Sequence, residues 1–258
     1  MQTKTYAQLL SLIQSLSGVV FANLELGRIK ALINRRASRA FRATNYWPRF
    51  LNIGEERRLS GDSASVTTTT NGASFFIATV GDTDFTLIGA DSNTVGVFFT
   101  ATGAGSGTGT VFPALGHIPY TQTGLSSIDT FLRVHKQAPY VTISVQEYDI
   151  MVTSVGAKLV VGDLNPATAF VTYKAQLTDT YGDGGGEQTA IPAEWFQYMA
   201  HGTYSDYLRA EGQQEKAALA DQEADLLLQE EMIRIDEQHT PQLVANRIFT
   251  NANMQLRY

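Results

Sequence analysis

The chain has 258 residues, no cysteine and a formal net charge of −6 at pH 7. The absence of cysteine excludes a disulfide framework, a thiolate metal site and a cysteine nucleophile, and the acidic balance disfavours a nucleic-acid binder because phosphate contacts need clustered positive charge. No apolar run reaches the roughly eighteen residues that a membrane span requires, so we expect no membrane association.

The N-terminal segment has the residue spacing of two helices. Apolar residues recur every three or four positions over residues 6–20, and Gly18 is expected to end this first helix. A second helix is predicted over about residues 26–45, because Pro48 cannot continue it. Its arginines are expected either to form a solvated face or to meet acidic side chains of a neighbouring helix or subunit. The arginines assigned to inter-subunit or bundle packing are Arg35, Arg39 and Arg42.

A Ser/Thr-rich stretch at residues 60–71 marks the start of a β-rich region. Short β-branched or aromatic segments bounded by Gly, Asp or Asn are typical of strands. The predicted strands cover residues 74–80, 84–88, 95–102, 108–113, 130–136, 140–148, 157–161 and 169–178. Residues 181–186, YGDGGG, are interpreted as a flexible hinge that leads back to helix.

The C-terminal third predicts a pair of acidic helices. Pro192 suits the first turn of a helix, and Gly202 and Gly212 predict a bend or a break at one or both positions. The apolar pattern continues to Asp236, and Pro241 is expected to end it. The side chains expected to pack within the bundle or between subunits are Trp195, Phe196, Tyr207, Leu208, Leu227 and Leu228.

The two ends of the chain carry opposite charge. Residues 1–60 hold ten Lys/Arg against three Asp/Glu, and residues 187–238 hold three against twelve. Such helices are expected to face one another within or between subunits. After Pro241, apolar side chains follow without helical or strand period, which predicts an extended tail that binds a partner. Its docking side chains are predicted to be Ile248, Phe249, Met254, Leu256 and Tyr258.

These patterns predict an α+β fold. The N- and C-terminal helices are expected to form a helical bundle with a large inserted antiparallel β module and an extended C-terminal tail. The predicted boundaries place the N-terminal helices at residues 1–60, the β-rich module at 61–186, the C-terminal helices at 187–240 and the tail at 241–258.

No constellation of catalytic residues is recognisable in the sequence. The run GAGSGTG at residues 103–109 lacks the Lys of a phosphate loop and the third Gly of a dinucleotide loop, so a strand-to-strand turn is predicted. Asp82, Asp84 and Asp91 lack the spacing of a calcium loop, and the four histidines are scattered. We therefore expect no enzyme activity, no cofactor and no catalytic or metal-binding residue.

Three stretches resemble proteins of tailed bacteriophages. The segment IPAEWFQYMAHGTYSDYLRAEGQQEKAALADQEADLLLQEE resembles the end of head-to-tail connector proteins, the adaptor rings beneath the portal. Its matching positions are Pro192, Trp195, Leu208, Arg209, Ala210, Gly212 and Gln213. The segment INRRASRAFRATNYWP looks like the helical start of these adaptors. Residues 82–111, DTDFTLIGADSNTVGVFFTATGAGSGTGTV, are similar to a β motif that recurs in several kinds of phage virion structural protein.

The resemblance implies a virion structural protein of the viral neck, made in the host cytoplasm. In this interpretation, a homododecameric ring joins the portal to a tail, nozzle or stopper protein during tail assembly. DNA passes through it at genome ejection without sequence-specific binding. The C-terminal tail would run along the portal.

Two alternatives remain open at the level of sequence. The β motif also fits another neck or tail protein, such as a stopper, a terminator or a nozzle subunit. A host-surface binding module is the third hypothesis, with carbohydrate held against Phe75, Phe98 and Tyr120. Core packing is the simpler role for these three aromatic side chains.

Overall fold

A computed structural model gives the fold of the chain and describes residues 2–115, 117–139, 148–153, 156–161 and 168–255. Side chains are described in the same ranges except at residues 24, 148, 149, 151–153, 156–161 and 238–255. Within the described residues the fold is mixed α+β, as predicted, with four α-helices and several antiparallel sheets. None of these helices is both long enough and apolar enough to cross a lipid bilayer.

The four helices lie near the two ends of the chain. They are α1 (Tyr6–Ser17), α2 (Asn23–Ala43), α3 (Ala193–Ala210) and α4 (Gln214–Gln255). The strands are β1 (Thr3–Thr5), β2 (Leu51–Arg58), β3 (Ala64–Ser65), β4 (Ser74–Thr79), β5 (Phe98–Thr100), β6 (Thr110–Pro113), β7 (Ile118–Pro119), β8 (Ile128–His135), β9 (Tyr148–Thr153), β10 (Gly156–Val161), β11 (Thr168–Ala175) and β12 (Ala190–Pro192).

The chain divides into two compact units. The helical unit contains residues 1–50 and 177–258, and the β unit contains residues 51–176. Both divisions come earlier than the boundaries predicted at 60/61 and 186/187. The first comes earlier because Leu51–Arg58 is a strand rather than the end of a helical segment, and the second because Tyr181 is fully buried in the helical core rather than in a flexible hinge.

Helix boundaries in the helical unit follow local signals. Thr5 caps α1, since its hydroxyl accepts a hydrogen bond from the backbone N–H of Gln8 while the Gln8 side chain accepts one from the N–H of Thr5. Gly18 ends α1 in the left-handed conformation with φ of 67°, as predicted. Gly212, with φ of 80°, separates α3 from α4, whereas Gly202 leaves α3 unbroken.

An aromatic cluster forms part of the core of the helical unit. Trp47 packs edge to face on Trp195 with ring centroids 5.6 Å apart, and Phe50 stacks on the same indole at 5.3 Å. The indole N–H of Trp47 donates to the backbone carbonyl of Ala40 at 2.8 Å. The segment that follows α2 is thereby fixed against the first turn of α3.

The described residues of the β unit form three antiparallel sheets, ordered β2-β11-β8, β3-β6-β4-β5 and β7-β10-β9. The pairing of Leu51 with Lys174 brings the two ends of the unit together, because β2 and β11 run antiparallel. Residues 101–109 connect β5 to β6, so the glycine-rich run lies between strands as predicted. Gly105 is required there, since a Cβ would lie 2.3 Å from a methyl carbon of Val66.

The structure differs from the predicted strands in two places. Residues 84–88 are not a strand, because Phe85–Ile88 forms a 3₁₀ helix that the Asp84 side chain caps. The strand Leu51–Arg58 was not predicted, because its sequence is mostly polar. The predicted strand at residues 140–148 lies outside the described residues except for Tyr148, where β9 begins.

The C-terminal segment also differs from prediction. We expected Pro241 to end the helix and residues 241–258 to form an extended tail, but α4 continues as a helix to Gln255. A proline in a helix removes one hydrogen bond and favours a kink, which neighbouring helix-forming residues can outweigh. The extended-tail prediction is therefore wrong for the backbone of residues 241–255.

Candidate functional site

A buried ion pair joins α2 to α3. The side chains of Arg36 and Asp206 are only 2% and 1% exposed. The guanidinium donates twice to the carboxylate, from Nε to Oδ2 and from Nη2 to Oδ1, both at 2.8 Å. Such a bidentate ion pair fixes the relative position of the two helices and stabilises both charges.

Three more charged residues surround this pair. Nη2 of Arg35 lies 2.7 Å from Oδ2 of Asp206, and Nη1 of Arg209 lies 3.4 Å from Oδ1. Asp221, on α4, forms an ion pair at 2.8 Å with Nη1 of Arg36, without hydrogen-bond geometry. Asp221 also lies 3.3 Å from Arg209. The cluster therefore links α2, α3 and α4 through charge.

The pKa values of the central pair follow from these contacts. Burial by itself would raise the pKa of Asp206, but hydrogen bonds and charges from Arg36 and Arg35 outweigh burial and lower it. Burial would likewise lower the pKa of Arg36, and the hydrogen bond and charge from Asp206, with smaller contributions from other neighbours, raise it instead. Both groups are held in their charged forms, which suits a structural cluster rather than proton transfer.

Gly202 allows Arg36 to reach Asp206. A Cβ at Gly202 would lie 2.9 Å from Cδ and 3.0 Å from Nε of Arg36. The side chain of Arg36 cannot easily move aside, because its guanidinium is hydrogen-bonded to Asp206 and forms an ion pair with Asp221. The glycine therefore remains inside α3 because of this close approach.

We expect Gly202→Ala to lower the free energy of unfolding by about 1–3 kcal/mol, although alanine is the better helix former, because overpacking displaces Arg36. Gly27→Ala is the matched control, since a Cβ at Gly27 in α2 would meet nothing within 4 Å. It should stabilise the protein by about 0.5–1 kcal/mol. Urea denaturation measures both, and equal shifts in the two variants would contradict this account of Gly202.

A surface pocket of about 280 Å³ opens beside the ion cluster, between α2 and α3. It is lined by Arg28, Leu32, Arg35, Asp206, Arg209 and Ala210. Three guanidinium groups against one carboxylate give the pocket positive charge, so carboxylate or phosphate groups are the chemistry that it favours.

The predicted arginines pair mainly within their own chain. Arg35 contacts Asp206, and Nη2 of Arg39 lies 3.6 Å from Oδ2 of Asp225 on α4. Arg42 is exposed and forms no ion pair within the described part of the chain. The acidic partners of Arg35 and Arg39 are therefore on neighbouring helices of the same chain.

Most of the predicted packing residues lie in the core of the helical unit. Trp195, Phe196, Leu208 and Leu228 are buried there. Tyr207 is partly buried and packs edge to face on Phe21, with ring centroids 5.4 Å apart. Leu227 is half-buried. Trp195, Phe196, Tyr207, Leu208 and Leu228 therefore pack within the chain.

The predicted docking side chains belong to residues 248–258, at the C-terminal end of the chain. Ile248, Phe249 and Met254 lie on α4, but only their backbone is described. Leu256 and Tyr258 lie outside the described residues. Their docking role stays a prediction.

The aromatic residues of the host-binding hypothesis do not form a common face. Phe75 is buried in the core of the four-stranded sheet, whereas Tyr120 packs on Phe131 in a second core, with centroids 4.8 Å apart. Phe98 is 53% exposed. Phe98 is therefore the most exposed ring of the three, and the host-binding hypothesis stays a prediction.

The aspartates of the β motif are bound within turns. The carboxylate of Asp82 accepts hydrogen bonds from the backbone and hydroxyl of Thr108, and these bonds lower its pKa. Asp84 accepts bonds from Thr86 and Asn93, which lower its pKa in the same way. Among the described residues, no three His, Cys, Asp or Glu side chains lie close enough together to share a metal ion.

Sequence reasoning missed two features. The buried pairing of Arg36 with Asp206 was not predicted, although Arg36 follows Ile29 and Ile33 on the apolar face of α2, where a charged residue signals a buried partner. The second feature is an exposed aliphatic stripe on α4, formed by Leu219, Leu226 and Ile233. Its regular seven-residue spacing could have revealed it in the sequence.

Comparison with models of known protein families and with curated proteins finds no match to this chain.

Proposed function

We propose that this chain is a head-to-tail adaptor of a tailed bacteriophage, a virion structural subunit without catalytic activity. Twelve copies would form a ring in the viral neck, with the portal on one side and a tail, nozzle or stopper protein on the other. DNA would pass through the ring without sequence-specific contacts. In this proposal the helical unit is the bundle of the adaptor and the β unit is an inserted module.

One observation carries the proposal. The two stretches that resemble adaptors are far apart in the sequence, yet they pack together in one core. Trp47 of the first stretch contacts Trp195 of the second, and Arg36 of the first pairs with Asp206 of the second. Coincidental resemblances in two separate stretches would have no reason to meet in one structural unit.

Another neck or tail protein remains the second candidate. Residues 82–111 lie in the β unit, within a sheet that has its own core around Phe85, Phe99 and Val111. A self-contained module of this kind can be carried by different virion proteins. The adaptor proposal is favoured because it also explains the helical unit.

Portal binding tests the adaptor proposal directly. Purified chain should co-sediment with portal rings, and native mass spectrometry should show a ring with portal and a monomer or weak oligomer without it. A stable trimer under both conditions, together with no binding to portal, would exclude the adaptor.

We expect removal of residues 241–258 to abolish attachment to the portal. The melting temperature should stay nearly unchanged, since the described core of the helical unit ends at Ile235. A single tail binds weakly, but repetition around a ring makes the contact tight through effective concentration. The double variant Ile248→Ser/Phe249→Ser keeps the full length of the chain. It therefore separates the loss of apolar contacts from the loss of the segment itself. Co-sedimentation of the truncated chain at wild-type affinity would move the docking element elsewhere.

A further inference from the structure

The outer surface of α4 carries an aliphatic stripe that no described residue of its own chain covers. Leu219, Leu226 and Ile233 are 67%, 60% and 57% exposed. The seven-residue spacing keeps them on one side of the helix over about 21 Å. The residues that α4 buries lie on its opposite side and are Ala217, Ala220, Ala224, Leu228 and Ile235.

An acidic edge accompanies the stripe. Glu223, Glu230 and Glu237 recur with the same seven-residue spacing, and all three are exposed. Glu223 lies 3.4 Å from Nδ1 of His201, whereas Glu230 and Glu237 form no ion pair within the described residues. The surface therefore fits a partner that offers a shallow face with positive charge.

The outer face of α2 has that chemistry. Arg28, Arg35 and Arg42 recur every seven residues and are exposed, and Ala31 and Ser38 beside them have short side chains that allow close approach. Among the described residues, Arg28 and Arg42 form no ion pair. Arg28 and Arg35 also line the positively charged pocket of about 280 Å³.

These two faces cannot meet within one chain. Arg39 of α2 already faces Asp225 of α4 inside the helical unit, and the aliphatic stripe lies on the other side of α4. Two copies of α4 packed on each other would oppose their glutamates, and like charges suppress such a contact. Charge therefore favours α2 of a second copy as the occupant.

We propose that the aliphatic stripe of α4, Leu219, Leu226 and Ile233, packs against the arginine face of α2, Arg28, Arg35 and Arg42, in the next copy of the chain. The contact uses two different surfaces, so each copy can bind one neighbour on each side, and closure of the series gives a ring. The inference deepens the proposed function by naming the contact between subunits. The inference rests on the proposed function in one respect, the closure of the subunits into a ring.

The absence of cysteine from the chain makes a direct test possible. One preparation carries Leu226→Cys, and a second carries Ala31→Cys or Ser38→Cys. Equal amounts are mixed and treated with a short bismaleimide crosslinker, at high protein concentration and again with portal rings. A crosslinked heterodimer is expected. Leu87→Cys replaces Leu226→Cys as the control, because Leu87 is 78% exposed and lies in the β unit.

Charge reversal then tests the complementarity. Glu230→Lys with Glu237→Lys in the Leu226→Cys chain should lower the crosslinking yield by about tenfold or more, since lysines would face arginines. Arg28→Glu with Arg42→Glu in the second chain should restore it. Crosslinking of Leu226→Cys to itself, no heterodimer in either condition, or no rescue would overturn the contact. Portal binding without the crosslink overturns the contact alone, whereas the crosslink without portal binding overturns the adaptor function alone.

Discussion

Asp206→Ala is expected to lower the free energy of unfolding by about 3–5 kcal/mol, as for other buried ion pairs that lose one partner. The substitution leaves the guanidinium of Arg36 buried without the carboxylate that accepts two of its hydrogen bonds. Asp206→Asn should cost nearly as much, because an amide N–H₂ would face the guanidinium donors. Urea denaturation followed by circular dichroism measures both losses.

Asp225→Ala is the matched control for this prediction. Asp225 also pairs with an arginine of α2, but its side chain is 43% exposed, that of Arg39 is 56% exposed, and the two lie 3.6 Å apart. Its loss should change stability by less than about 1 kcal/mol. Equal losses for Asp206→Ala and Asp225→Ala would contradict the assigned role. Arg36→Met combined with Asp206→Ala should recover much of the loss, because no unpaired charge stays buried.

The same pair predicts a dependence on pH. The pKa of Asp206 is lower in the folded protein than in the unfolded chain, so the contribution of the carboxylate is fully present above its unfolded pKa of about 3.9. It is lost as the pH falls through the folded pKa. The difference in stability between wild type and Asp206→Asn should therefore be constant near neutral pH and shrink below about pH 4. A constant difference down to acid unfolding would exclude this linkage.

Trp195→Ala is expected to cost about 3–5 kcal/mol, within the range for truncation of a large buried aromatic side chain. The side chain is 1% exposed, and its indole packs edge to face with Trp47 and stacks on Phe50. Removal leaves a cavity where the end of α2 meets the first turn of α3. Thermal and urea denaturation measure the loss.

Trp195→Phe should retain part of the stability, since it keeps an aromatic ring in the cluster. Phe98→Ala is the control for loss of an aromatic ring at a site that is 53% exposed, and it should have a much smaller effect. The chain has only two tryptophans, so the near-ultraviolet circular dichroism of their edge-to-face pair should also change in Trp195→Ala. A melting temperature within a degree or two of wild type, by the scale of about 2–4 °C per kcal/mol, would contradict this packing.

The sequence predicted elements whose signals are local. Gly18 ends α1 and Gly212 separates α3 from α4, because a left-handed residue at a helix end is a property of a few neighbouring residues. The mixed α+β class also follows from local periods. Strand β2 was not predicted, because the contacts that stabilise it are with residues distant in the sequence. Its inward side chain is Arg57, which is fully buried and donates to Tyr173 of β11, a strand far along the chain.

The sequence by itself therefore determined the approximate positions of α1, α2, α3 and the first part of α4, and that the chain has two oppositely charged ends. It did not determine where α4 ends, because the helix continues past Pro241. The tertiary structure alone decided which charges meet. Arg36 and Asp206 are 170 residues apart in the sequence. The side chain of Arg36 occupies the space that a Cβ at position 202 would need, which accounts for a glycine inside α3. Local spacing cannot encode such contacts, since the partner is chosen by packing between helices. Packing likewise decided which rings contact the predicted core residue Trp195, namely those of Trp47 and Phe50.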